Sequence, residues 1–600
     1  MNCKSGHTFH IPVMGLAFTI DSPIKVARFG ISSVVSLMED RLIEMMRRHY
    51  YPSINKPYEP ITPHEPDFRA KRIADYLNLV NTIVQQQVQK LRAEAFEWGS
   101  EIVKYFEMLP EESGLKKRFW EMMHSGDAKK KSETQDFLRG QIVPGSIDVN
   151  IMTKVDRDTR DKNGDLIPDG SDAVSALRGY INSGLTNSSI VFSAGMNPRL
   201  FTYLENTDAF DPDENFEFRK KVIVKVSDYR SAMIQGKFLA KKGIWVSEFR
   251  IESGLNCGGH AFATEGQLLG PILEEFKTKR QELAASIFEI YRPAIHKKTG
   301  LGFAQHPEIR VSVQGGIGTH EEDSFLRKYY QVASTGWGTP FLLVPEATTV
   351  DTHTLELLSA ANENDIALSN NSPLGVRFFY LKGTTSDLEK QQRIAAGKPG
   401  SPCTEKHLCL NTDFTEEPIC TASRRYQKLK LEHLKTLQLS EQEFEVQKTD
   451  VLAKECLCVG LSNAASLCHE EPFLKNLKAV TICPGPNIVN FSKVVSLKTM
   501  TDHIYGRTNL VSNKQRPHVF VAEMKIYINY LKEQLTKGNG DTNDPKRKNY
   551  YQTFLRNMSD AIQYYQDLLK SFVDNRESFG QALLNAKKEL TEIKITYALD

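Results

Sequence analysis

This chain of 600 residues is narrowed first by what it lacks. It has almost no charge excess: 76 Lys+Arg stand against 74 Asp+Glu, a formal net of +2. Neither a basic stripe nor an acidic tail marks nucleic acid or an anionic membrane as its partner. No apolar run approaches the roughly 18 consecutive residues that cross a bilayer. The opening MNCKSGHTFHIPVMGLAF also lacks a basic stretch followed by an apolar segment and a small-residue cleavage site. A cytoplasmic setting and a small-molecule substrate are therefore expected. Cysteine is scarce, nine in all, too few for a disulfide scaffold and expected in a reducing compartment as thiols or metal ligands. Six of the nine (Cys403, Cys409, Cys420, Cys456, Cys458 and Cys468) nonetheless fall in one stretch. What is present is ordinary: 40% hydrophobic and 25% charged residues, the composition of a globular protein with a large core.

Short β-type runs alternate with helical patterns from residue 11 to about 345. Eight runs read as strands: residues 11–18, 31–36, 147–153, 189–194, 222–226, 244–249, 309–314 and 332–337. Most are continuous apolar or small-residue runs, the pattern of parallel strands covered on both faces. Crossover helices are expected at 173–180, 229–240, 267–291 and 321–330, and Ser22-Pro23 opens the first with a cap and a proline in the first turn. The fold class is α/β: a TIM-type (β/α)8 barrel with its active site where the strands' C-terminal ends meet the loops.

A helical insertion after strand 2, at about residues 40–140, interrupts the barrel. Its apolar stripe (Ile73, Tyr76, Leu77, Val80, Ile83, Val84, Val88, Leu91) marks a packing face, and such arms offer a surface for homo-oligomerisation. The domain division is a barrel over 1–395, a cysteine-containing region over 396–515 entered through GKPGSPC, and a helical C terminus over 516–600, with helices at 519–535, 548–572 and 576–597. No internal repeat recurs at a fixed period.

The chemistry-bearing motifs cluster at three strand ends. The sixth strand runs into ESGLNCGGH (252–260), the seventh into QGGIGT (314–319) and the eighth into GWGTPF (336–341). Glycine pairs on adjacent strand ends let backbone N–H groups approach an anion, the usual phosphate position in such barrels. This pattern resembles the FMN-dependent nitronate monooxygenases and the related flavin enoyl reductases. IPVMGLAF with Met14 looks like that family's early strand, and Gly258-Gly259-His260, Gly315-Gly316-Ile317 and Gly338-Thr339-Pro340-Phe341 stand in place of its later motifs. The resemblance covers roughly residues 10–350, without the insertion. It implies FMN as cofactor, with Gly315, Gly316, Gly338 and Thr339 on the phosphate. It also implies that Met14, Gly15 and Asn150 line the isoalloxazine, with Gln314, Gly258 and Gly259 beside it, and that His260 handles the substrate proton, a task suited to an imidazole titrating near neutrality. The implied activity is oxidation of a small nitronate-like or other acidic-carbon substrate. The alternatives are an enoyl reductase using NAD(P)H and a non-catalytic barrel scaffold. One departure is local: Leu255-Asn256-Cys257 lengthens the loop before Gly258.

The cysteine region is the second constellation. Loop cysteines and a C-x-C turn suit a thiolate site for zinc or an iron–sulfur cluster, with Cys403, Cys420, Cys456 and Cys458 as the preferred four; the alternative is a set of reduced thiols buried as small hydrophobes. DKNGDLIPDGSD (161–172) carries oxygen ligands at Asp161, Asn163 and Asp165, as in a calcium loop. It has Leu166 where glycine is required and Asp172 where glutamate closes the site, so it reads as a solvated turn. TICPGPN (481–487) and 502–511 read as turn chemistry with no assigned role.

Overall fold

The computed structural model describes residues 6–161, 163–258, 264–472, 478–537, 544–571 and 576–599. Eight parallel strands, β1 (Phe9–Ile11), β2 (Ser32–Ser36), β3 (Ile147–Met152), β4 (Ser188–Ser193), β5 (Lys220–Val226), β6 (Val246–Glu252), β7 (Arg310–Gln314) and β8 (Ser334–Gly336), close in sequence order into a barrel. β1 pairs with β8 to complete it. The chain is thus a (β/α)8 barrel, covered by helices that include Asp172–Asn182, Tyr229–Lys241, Leu269–Thr299 and His320–Tyr329.

The strands do not fill the barrel with apolar side chains alone. Outward residues such as Phe249 and Ile251 of β6 are buried under the helices, whereas Glu248, Arg250 and Glu252 alternate with them. One small apolar layer, Val34, Val191 and Ile223 with Val13, lies inside. Below it Arg250 pairs with Glu248 at 2.8 Å, and Ser312 donates to the same carboxylate at 2.5 Å. Burial would raise the Glu248 carboxyl, but Arg250 and Arg310 hold it down at about 2.

The first strand is shorter and earlier than the sequence pattern predicts. It ends at Ile11 because Pro12 has no N–H for the ladder. Residues 12–18 therefore form the loop at the barrel mouth rather than strand. The insertion contains Phe68–Ala93, Glu101–Met108, Gly114–Met123 and Ala128–Gln141, and the stripe from Ile73 to Leu91 is buried as a packing face. The segment 161–172 folds as a turn in which Asp161 Oδ1 accepts from the N–H groups of Asn163 (2.8 Å) and Asp165 (3.0 Å).

Two elements close over the mouth. An antiparallel hairpin, β9 (Ile366–Ser369) and β10 (Phe378–Leu381), follows the barrel; its strands escape the sequence pattern because each has only four residues. The C-terminal helix Val519–Lys537 then packs Phe520, Met524 and Tyr527 into the same apolar core as Leu255 and Leu268 of the β6 loop. No helix among the described residues is long and apolar enough to cross a membrane.

Candidate active site at the barrel mouth

Glu252, at the end of β6, is the hub of a polar layer at the mouth. Its Oε1 meets Lys225 Nζ of β5 at 2.7 Å and accepts from Asn256 Nδ2 at 2.7 Å and Gln314 Nε2 at 3.0 Å. Gln314 also donates to Asn256 Oδ1 at 3.3 Å. Asn150, on β3, is buried, and its Oδ1 has no hydrogen-bond donor among the described residues. Such an orphaned acceptor is rare in a folded chain and marks a place where something else donates. Glu252, Lys225 and Asn256 were not picked out by sequence reasoning. For Lys225 and Glu252 the signal was the alternation of charged residues in KKVIVKV and VSEFRIE, which points every second side chain inward; Asn256, in the loop beyond β6, had none.

The motif residues from β1, β6 and β8 meet one another. Gly258 lies so close to the β1 loop that a Cβ on it would stand 3.1 Å from Met14 Cα and 3.2 Å from Gly15 N; one on Gly338 would stand 3.4 Å from Met14 Sδ. Gly315 and Gly316 follow each other at φ 107° and 77°, a left-handed pair that other residues hold only under strain. The turn buries the N–H groups of Gly315, Gly316 and Ile317, and the β8 end buries those of Gly338 and Thr339. Among the described residues none of these five N–H groups has an acceptor. Buried backbone donors are almost always paired, so five without an acceptor among the described residues, on adjacent strand ends, can serve an anion as donors. The next N–H, of Gly318, is already spent on Glu322 Oε2 at 2.9 Å. That carboxylate is neutralised by buried Arg516 at 2.7 Å, which also donates to Gly316 O at 2.8 Å. A guanidinium therefore stands beside the glycine turn.

The three-residue lengthening of the β6 loop packs over this cradle. A Cβ on Gly316 would be 2.5 Å from Leu255, and one on Gly338 would be 2.2 Å from Cys257 Sγ. The TICPGPN turn arrives from the cysteine region: Gly258 N donates to Cys483 O at 2.9 Å, and the Thr339 hydroxyl to Pro484 O at 2.6 Å. Burial, with Cys483 nearby, pushes the Cys257 thiol up to about 12, so it is a packed thiol and not a nucleophile. The donor chemistry of these amides fits a phosphate, and Leu255 and Cys257 pack directly against Gly316 and Gly338. Gly259 and His260 lie outside the described residues.

The preferred metal-binding cysteines share one neighbourhood. Cys420 and Cys458 are buried, and Cys403 and Cys456 pack against the same cluster together with Cys409.

No protein-family model matches the chain, and no curated protein matches it. Among solved structures it is similar to the enoyl reductase domain of MlnA from the macrolactin biosynthesis cluster of Bacillus amyloliquefaciens. That similarity has 15% identity over 64% of this chain and 86% of that one, with a TM-score of 0.33. It is also similar to nitroalkane oxidase from Streptomyces ansochromogenes, at 10% identity over 64% of this chain and 85% of that one, with a TM-score of 0.29. Likenesses this distant say nothing of chemistry.

Proposed function

We propose that the chain is a flavin-dependent oxidoreductase of the nitronate monooxygenase type, acting at the barrel mouth on a small substrate with an acidic carbon. The observation that carries this reading is the set of five buried N–H groups on the ends of β7 and β8, beside Arg516, that have no acceptor among the described residues. FMN would be held there through its phosphate by Gly315, Gly316, Gly338 and Thr339, with Met14, Gly15, Asn150, Gln314 and Gly258 toward its ring. When bound, it supplies the electron chemistry.

The protein's own part is positioning and proton handling. Asn150 Oδ1 offers a fixed acceptor. Glu252, tied to Lys225, Asn256 and Gln314, holds the floor of the site rigid and electrically balanced. His260 takes the proton from the substrate's acidic carbon and, at neutral pH, releases it readily.

The purified protein is expected to be yellow and to release FMN on denaturation. His260→Ala should keep the flavin and lose turnover on a nitronate by a factor of about 10² to 10⁴. Turnover of an enoyl thioester with NAD(P)H, and none of a nitronate, would move the assignment to an enoyl reductase. A colourless protein with no flavin by mass spectrometry would leave a barrel scaffold.

A further inference from the structure

Three separate chain segments deliver five cysteines to one place. Ser401 N donates to Ala422 O at 2.9 Å and Arg424 N to Ser401 O at 3.1 Å, which lays Cys403 beside Cys420. Asn411 and Ile419 exchange hydrogen bonds of 3.1 and 2.8 Å, which brings Cys409 back to the same point. Two 13-residue helices later, Arg424–Thr436 and Glu441–Ala453, the chain returns with Cys456 and Cys458 at the start of the short helix Leu457–Gly460. Cys403 and Cys409 stand with their sulfurs 3.7 Å apart. Cys456 and Cys458 lie near enough to shift each other's ionisation in opposite directions, and Cys420 acts on Cys403 of one segment and Cys458 of the other.

The sulfurs are thiols: 3.7 Å is far beyond the S–S bond of about 2 Å. Isolated buried cysteines are common as small hydrophobes, but five from three segments packed into one cluster are a candidate ligand set. The spacing selects the kind of metal centre. A single tetrahedral zinc holds all its sulfurs roughly 3.8 Å apart, as its 2.3 Å bonds require. Among the described residues no three cysteine sulfurs lie within 4.8 Å of one another, so they are spread more widely than one zinc requires. That arrangement suits a polynuclear centre. Lys406 and Lys454 act on these sulfurs as positive charges. The acidic neighbours Glu405 and Glu39 are occupied by Arg41 at 2.8 Å and His407 at 2.6 Å.

We propose that four of Cys403, Cys409, Cys420, Cys456 and Cys458 hold an iron–sulfur cluster seated against the barrel mouth. The cysteines pack on Met38 just past β2, Met152 at the end of β3, Val155, and Leu16 of the β1 loop. The helix they open ends at Leu461, whose carbonyl accepts from Leu16 N at 3.3 Å and Ala17 N at 2.9 Å. The cluster would therefore fasten the cysteine region to the loop that carries Met14.

The test uses the full chain, purified without oxygen, incubated with ferric iron and sulfide, and desalted. Iron and acid-labile sulfide in equal amounts, at least two of each per chain, with a brown colour bleached by dithionite and a reduced-state paramagnetic resonance signal, are expected. Cys456→Ser/Cys458→Ser should lose all of these, and Cys468→Ser should keep them. If the double variant does not fold, the wild-type iron and sulfide content decides alone. The proposal is overturned by one zinc per chain without sulfide, by a Cys403–Cys409 disulfide without metal, by no retained iron, or by a double variant that keeps its iron. Flavin is measured on the same samples, and its absence leaves the cluster result standing.

Discussion

Acidification from pH 6.5 to 4 is expected to remove about 5 kcal/mol of folding stability through His7 and His518, in roughly equal parts. Burial lowers both imidazoles from 6.5 to about 4. His7 is satisfied as a neutral ring: Nε2 lies 3.1 Å from Phe29 O and Nδ1 2.9 Å from the Tyr505 hydroxyl, with Arg507 and Lys116 adding to the cost of a positive charge. In this window the unfolded chain binds protons that the folded one refuses. Stability is therefore fully present above 6.5 and falls as pH drops toward 4. Urea midpoints across this range should fall steeply, and less steeply in His7→Asn. A stability that is level from pH 6.5 to 4 would contradict the burial of these rings.

The second large effect belongs to Glu523, on the helix Val519–Lys537. It is buried, and its Oε1 accepts from Ser253 Oγ at 2.7 Å and Gly254 N at 3.1 Å, while Oε2 accepts from Leu269 N at 2.7 Å. One carboxylate thus grips both stems of the loop that carries His260. Glu523→Gln turns an acceptor into an NH2 group facing a donor, and Glu523→Ala leaves three buried donors without a partner. Each variant should lose about 2–5 kcal/mol. Each should also lower kcat for the proposed reaction and weaken FMN binding, because the β6 loop held by Glu523 packs Leu255 and Cys257 on Gly316 and Gly338. Unchanged stability in both variants would mean that the loop is held by other contacts.

The contrast between Glu523 and Gly316 shows what the sequence could reveal. The barrel was legible because each strand's outward face is a local apolar signal, and the glycine motifs because a left-handed turn demands glycine within a few positions of itself. The start of the barrel was misplaced by a local rule too: IPVMGLAF is apolar enough for a strand, but Pro12 ends the ladder. The wall of the site was not legible. Arg516 and Glu523 reach the glycine cradle and the β6 loop from some 200 and 270 positions away, and nothing in their own neighbourhood announces it. Cys257 and TICPGPN were visible as an odd thiol and an odd turn, but their meeting over Gly258 and Thr339 is a property of the fold. In the cysteine region the composition flagged the crowding, whereas the pairing of Cys403 with Cys409 needed the backbone ladders around Ser401 and Asn411.

The central claim, that unpaired amides on β7 and β8 hold a flavin by its phosphate, is tested most directly by comparing FMN with riboflavin on flavin-free protein. Isothermal titration should give one FMN per chain, with riboflavin weaker on the order of 100-fold or more, the worth of several charge-assisted hydrogen bonds. Equal affinity for the two, or no binding of FMN, would contradict it.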